Sequence, residues 1–205
     1  MRIDGGDLSG KNSTAMKYAE AFPSVDGSTY EIRTNKLTAF NPFFDLAKYA
    51  FSKGMPEHLA KFLYYPAAIK DACTYRDDGS EIIQVSCVAT RGLAYIKDKG
   101  IRDIFGLEKM VERLPESEHN FYLRVRSIDE IVRRLDIRRN FEREQLTRGD
   151  LLAETDPDRF IRREEILFDI IKQRFNPSVI FTDNMTPTET AMVISQSLCG
   201  GRDRI

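Results

Sequence analysis

Short apolar runs alternate along the chain with longer stretches in which apolar residues recur at every third or fourth position. The runs Met1–Asp4, Thr29–Arg33, Ile82–Val88, Phe121–Val125 and Val179–Asp183 read as β-strands. Several are continuously apolar or β-branched, as expected of a parallel sheet covered on both faces. The segments between them carry helix start signals. Ser127-Ile128-Asp129-Glu130 forms a capping box, and Ile128, Ile131, Val132 and Leu135 follow at helical spacing. Asp156-Pro157 places an N-cap before a proline in the first helical position, with Phe160, Leu167, Ile170 and Ile171 on one face of the helix it opens. Thr186-Pro187-Thr188-Glu189 repeats the device ahead of Ala191, Ile194, Ser195 and Leu198, and Gly200-Gly201 supplies a stop. Strands separated by helices need right-handed crossovers, so the pattern predicts an α/β fold with a doubly wound, mostly parallel five-stranded sheet. No repeat, linker or low-complexity tract breaks the pattern, and one domain over residues 1–205 is expected.

Composition adds exclusions. At 41% hydrophobic and 31% charged residues, the chain is too apolar to be disordered. Its 31 Lys+Arg nearly balance 32 Asp+Glu, which argues against intact nucleic acid as a partner. No apolar stretch approaches the ~20 residues of a membrane helix, so no membrane partner is expected. Met1-Arg2-Ile3-Asp4 has no signal-peptide core, and Cys73, Cys87 and Cys199 are an odd, widely spaced set. Both features suit a cytoplasmic location. With His58 and His119 the only histidines, a Cys/His zinc site has too few ligands. Histidines and cysteines alike read as structural.

The strongest chemical signal is Asp4-Gly5-Gly6-Asp7-Leu8-Ser9-Gly10-Lys11-Asn12-Ser13, between the first strand and a helical stretch. Gly5 and Gly10-Lys11 have the G-x-x-x-x-G-K spacing of a phosphate-binding loop. Glycines let backbone N–H groups curl around phosphates, a helix N-terminus adds partial positive charge, and Lys11 neutralises β- and γ-oxygens. Gly5, Gly6, Ser9, Gly10, Lys11, Asn12 and Ser13 are therefore the candidate ATP-binding residues. Where Ser or Thr commonly ligates Mg²⁺ the chain has Asn12, whose amide oxygen is a weaker ligand.

These residues resemble the E-G-x-D-G-x-G-K loop of the thymidylate kinase family of P-loop nucleoside monophosphate kinases, Asp7 matching the family's extra acid. Further matches follow in order along the chain. Leu63-Tyr64-Tyr65-Pro66-Ala67-Ala68 resembles the base-reading L-x-F-x-A-x-R segment, and Leu93-Ala94-Tyr95 resembles S-L-A-Y. The stretch around Arg138, Arg139, Arg143 and Glu144 resembles the family's lid, here about 136–156, and Val179–Asp183 with its capped helix resembles the closing strand and helix. Three positions depart from the family: its base-reading Arg falls on Ala68, its Asp-Arg pair falls on Ser86-Cys87, and its Ser/Thr falls on Asn12.

The resemblance implies a homodimeric enzyme of nucleotide biosynthesis that uses ATP and Mg²⁺ to phosphorylate a nucleoside monophosphate, and the departure at Ala68 leaves the base open, thymine or another. In such an enzyme Lys11 and Ser13 hold ATP phosphates, and Asp7 orients the acceptor or the metal. Arg33, at a strand end, meets the acceptor phosphate, Tyr64 stacks on its base, Tyr95 lies beside it, and Arg91 substitutes for the missing Arg. From Arg133 to Arg163 the chain has nine Arg, seven acids and no Lys. Guanidinium forks suit phosphate recognition, which nominates Arg138, Arg139 and Arg143. The same run also reads as a solvated helix pair laced by charge contacts. Two other functions stay open: a degenerate kinase fold that binds nucleotide without transfer, and a nucleotide hydrolase.

Overall fold

In the computed structural model, residues 1–24, 27, 29–75, 81–142 and 148–199 are described. Strands β1 (Arg2–Gly5), β2 (Glu31–Thr34), β3 (Ile82–Val85), β4 (Asn120–Arg124) and β5 (Ser178–Phe181) form one sheet in the order β2-β3-β1-β4-β5. All four pairings are parallel. Every strand-to-strand connection therefore crosses over through helices, as the alternating pattern requires.

Helices α1 (Lys11–Ala21) and α9 (Pro187–Cys199) cover one face, over a core of Ile3, Ala15, Ile83, Val85, Phe121, Leu123 and Ile194. On the other face, α4 (Val88–Asp98) packs against the long α8 (Pro157–Phe175) over Tyr122, Leu93, Leu167 and Ile171. The pair α2 (Pro42–Ser52) and α3 (Glu57–Thr74) and the short α5 (Leu107–Glu112) extend that side. Between β4 and α8 the chain makes a helical excursion: α6 (Ile128–Ile137), a π turn (Arg138–Glu142) and α7 (Arg148–Thr155).

The start signals act as read. Ser127 Oγ accepts the Glu130 N–H at the head of α6, and an Asp156 carboxylate oxygen accepts the Arg159 N–H at the head of α8. Thr186 and Glu189 exchange reciprocal bonds before α9. Gly200-Gly201, the predicted stop, lies outside the described residues.

The sequence pattern extends the third strand to Val88, whereas β3 ends at Val85. Ser86 turns the chain through a left-handed conformation (φ 59°), and Cys87 caps α4. Cys87 and Val88 are apolar because they pack beneath a helix, not because the strand continues. That early turn brings Ser86 Oγ within 3.1 Å of Asp4 Oδ1, joining the ends of β1 and β3.

A candidate phosphate site at the carboxyl edge of the sheet

β1 delivers Asp4 and Gly5 to the carboxyl edge of the sheet, where α/β proteins bind ligands. The next five residues curl back over that edge before α1 begins at Lys11. Close approach makes the curl: a Cβ on Gly5 would lie 2.5 Å from the Leu123 carbonyl oxygen and 2.7 Å from Ser9 Oγ. A backbone oxygen cannot yield as a flexible side chain can. Gly5→Ala is therefore expected to cost about 1–3 kcal/mol in denaturant unfolding and to weaken nucleotide binding with it.

Gly10 sits at the N-cap of α1 in the left-handed region (φ 81°). No side chain caps this helix, and no acid lies in its first turn. Its first amides thus have no side-chain cap, the arrangement that suits an anion at a helix start. Leu8 is left-handed as well (φ 63°), a strained state for a bulky side chain. Its packing on Ile131, Leu135, Ala153 and Phe160 opposes that strain and ties the loop to the helical excursion.

A charge cluster surrounds the loop. Asp7 is gripped from two helices: Arg91 on α4 donates to Oδ1 at 2.9 Å, and Arg163 on α8 donates to Oδ2 at 2.9 Å. The second fork nitrogen of Arg91 donates to the Gly5 carbonyl at 2.7 Å. Lys11 Nζ donates to the Gly6 carbonyl at 2.8 Å. Burial alone would raise the Asp7 carboxyl, but Arg91, Lys11 and Arg163 hold it well below the usual carboxylate range. Burial, followed by the charge of Arg91, lowers the Lys11 ammonium to about 8. Asp4, 1% exposed, accepts through Oδ1 from the Gly5 N–H and the Ser86 hydroxyl, while its Oδ2 has no partner.

Two hollows border the loop. One, of about 620 Å³, is lined by Gly10, Ser13, Arg134, Arg138, Thr182 and Asn184 and opens over the start of α1. The other, of about 360 Å³, lies between Gly6, Tyr122, Arg124, Phe160 and Glu164, on the α8 side.

Of the candidate residues, Asp7, Lys11 and Arg91 come together with Gly5 and Gly6 in the charge cluster. Ser9, Gly10 and Ser13 meet Arg138 in the larger hollow, and Asn12 is exposed in the first turn of α1. Arg138 also donates to both oxygens of buried Asp150, and Arg139 pairs with Glu154 at 2.7 Å. Arg143 and Glu144 lie outside the described residues. Arg33, with a side chain 7% exposed, binds Glu31 and the Leu37 carbonyl, on its own strand and the turn after it. Tyr64 lies 5.7 Å from the Phe44 ring, and Tyr95 packs partly buried on the core beneath α4.

Three residues of the site lie beyond the sequence reading. Arg134 bridges the Leu8 carbonyl at 3.0 Å to Thr182 while Glu130 holds its Nε at 2.7 Å. The i,i+4 spacing of Glu130 and Arg134 is visible in the sequence, but a charged pair at that spacing is common on any helix. Arg163 and Glu164 stand more than 150 residues from the loop they contact, and no local pattern points to them.

Among the described residues, no helix is long and apolar enough to cross a membrane. Among the described residues, no group of three or more His, Cys, Asp or Glu side chains is placed to hold a metal ion. No family model and no curated protein matches the sequence. Solved structures do match in shape. Thymidylate kinase from Candida albicans superposes with a TM-score of 0.64 at 12% identity, over 98% of this chain and 91% of that one. Deoxyadenosine kinase from M. mycoides, solved with bound dATP, superposes with a TM-score of 0.57 at 15% identity, over 97% and 99% of the two chains. At such identities the likeness is one of fold alone: a parallel five-stranded sheet between helices, arranged as in these two kinases.

Proposed function

We propose that the protein transfers the γ-phosphoryl group of ATP to a nucleoside monophosphate or a close relative. The observation that carries this reading is the convergence of Lys11, Arg91 and Asp7 on a glycine loop at an uncapped helix N-terminus, beside a hollow that contains Arg134 and Arg138. Phosphoryl transfer asks chiefly for positioning and for cations around the transferring group. In this reading the loop amides, Lys11 and Ser13 hold the ATP phosphates. Arg134 on α6 and Arg138 in the lid face the nucleotide, and the resemblance assigns Arg139 and Arg143 to the same lid. Asp7 orients the acceptor, Arg33 serves its phosphate, and Tyr64 and Tyr95 border its base. Arg91 stands one helical turn beyond Cys87, where the family's Arg is missing, and supports the loop from there.

The residues present fit Mg²⁺. The ion prefers hard oxygen ligands and keeps most of its shell as water and phosphate, so one protein oxygen suffices. The exposed Asn12 amide, in the first turn of α1 next to Lys11, would supply that oxygen, as a weaker ligand than the usual hydroxyl. When bound, Mg²⁺ would neutralise charge on the β- and γ-phosphates. Ala68, 3% exposed in the core, offers no donor to a base carbonyl, which supports an acceptor other than thymidylate.

The acceptor is tested by transfer from radiolabelled ATP, with Mg²⁺, to ribo-, deoxyribo- and modified monophosphates. The two proteins of like fold are named for thymidylate and deoxyadenosine, so both compounds join the panel. Turnover with one acceptor names the substrate. A second reading is favoured by one observation: no carboxylate follows β3, where Ser86 and Cys87 stand. Nucleotide binding without turnover of any acceptor would assign the chain to that reading, a binding module.

The homodimer implied by the resemblance has a candidate surface. Phe43, Leu46 and Tyr49 recur at three-residue spacing on α2 and are exposed, as are Leu59, Phe62 and Ile69 on α3. The two helices pack together, and exposed apolar side chains gathered on one helix pair suit an association site. Leu46→Asp is expected to convert a dimer to a monomer in sedimentation velocity without lowering the unfolding midpoint of the fold. An unchanged sedimentation coefficient would place the interface elsewhere.

A further inference from the structure

Gly6 leaves a gap beneath the loop, and Glu164 of α8 fills it. A Cβ at Gly6 would lie 1.9 Å from Glu164 Oε2 and 2.8 Å from its Cδ, so the carboxyl stands where a side chain would otherwise be. The Glu164 side chain is 18% exposed, borders the 360 Å³ cavity, and leaves Oε2 buried without a hydrogen-bond partner. Its other oxygen is 3.8 Å from Arg163, whose close contact, at 2.9 Å, goes to Asp7 instead.

The charges around Glu164 come from every element packed against it. The loop and β1 present Asp4, Asp7 and Lys11, α4 presents Arg91, and α8 presents Arg163. β4 presents Tyr122, and Arg124, which is engaged by Glu165. With all three carboxylates ionised, Asp4, Asp7 and Glu164 cancel Lys11, Arg91 and Arg163. A polyphosphate entering the loop brings several negative charges and favours a state in which one carboxylate is neutral. Asp7 has two Arg donors and Asp4 has the Gly5 amide and the Ser86 hydroxyl, whereas no donor holds Glu164 Oε2.

We propose that Glu164 is a positioning residue of the phosphate loop that meets an incoming polyphosphate as the neutral carboxylic acid, so that filling the loop takes up a proton. The inference rests on the loop being a phosphate site, as proposed above. The proton comes from solvent and resides on a Glu164 oxygen; no other bond is made or broken. Burial, reinforced by the charge of Asp7 and only partly offset by Arg91, Arg163 and Lys11, raises this carboxyl to about 7, within reach of such a change.

The test uses inorganic tripolyphosphate, which carries no base. Titration calorimetry at pH 7 in two buffers of different ionisation enthalpy is expected to show uptake of roughly half a proton beyond the ligand's own ionisation. An infrared difference spectrum is expected to gain a protonated-carboxyl band on binding. Between pH 6 and pH 8 the wild-type Kd is expected to rise about tenfold more than the ligand's ionisation explains. Glu164→Gln removes all three signals, and so does Gly6→Ala, whose methyl evicts the carboxyl, whereas Glu165→Gln keeps them. Tight binding without proton uptake, or uptake that survives in Glu164→Gln, overturns the assignment. If tripolyphosphate does not bind at all, the phosphate-site reading falls, and this inference falls with it.

Discussion

Replacing Lys11 by Ala is expected to lower ATP-dependent transfer by about 10²–10³-fold while leaving the fold intact, the loss typical of removing one donor from a charge-stabilising site. The side chain donates to the Gly6 carbonyl and sits between the Arg91 cation and the carboxylates of Asp7, Glu164 and Asp4. Burial and Arg91 disfavour its charge by more than Asp7, Glu164 and Asp4 favour it, so its removal costs little, and denaturant unfolding should change by less than about 1 kcal/mol. The pairing of large functional loss with small structural loss separates a phosphate ligand from a packing residue. ATP binding by equilibrium dialysis should weaken in parallel. A variant that binds ATP as well as the wild type would show that the glycine loop is a turn and not a phosphate site.

The chain states its fold openly and its site only in part. Apolar runs of strand length, separated by capped amphipathic helices, leave little besides a doubly wound parallel sheet, and the observed strand order is of that class. The capping residues Ser127, Asp156 and Thr186 were legible because a cap is a contact over three residues. The end of β3 was not, since an apolar Cys-Val pair reads alike whether it continues a strand or opens a buried helix.

The same distinction runs through the site. Gly5, Gly10 and Lys11 are spaced by the loop itself and can be found by counting. Glu164 and Arg163 reach the loop through the packing of α8 over the sheet, and their sequence context is an ordinary run of charges along a helix. Gly6 was the one local hint. A glycine in mid-loop signals either an unusual backbone or something close by, and here it is the carboxyl of Glu164. Arg133 and Arg134 illustrate the difficulty from the other side. Both are bonded to Glu130 and both line the larger hollow, yet of the two only Arg134 continues to Leu8 and Thr182.

Arg91→Met is expected to destabilise the protein by about 2–3 kcal/mol, somewhat less than the loss of one partner from a fully buried pair because about a quarter of each side chain is exposed. For a chain of this length that is a fall of about 5–10 °C in the unfolding midpoint. Arg91 joins three things at once: α4, the Asp7 carboxylate at 2.9 Å and the Gly5 carbonyl at 2.7 Å. Methionine fills the space but leaves the Gly5 carbonyl unpaired and Asp7 with Arg163 alone. Lysine keeps the charge without the planar fork, so Arg91→Lys should fall between the two. The pH dependence carries a second signature. Asp7 is held below the usual carboxylate range, so its pairing stabilises the fold above the unfolded value of about 3.9 and is lost as pH falls through the lower folded value. In Arg91→Met the folded value moves back towards the unfolded one, and the contribution of Asp7 shrinks at every pH above it. Unfolding of wild type and variant, followed from pH 7 to well below the ordinary carboxylate value, down to about pH 1.5, should therefore show the two stabilities converging as acid removes what Arg91 was holding. A constant difference across that range would mean that Arg91 supports the loop through the Gly5 carbonyl and not through Asp7.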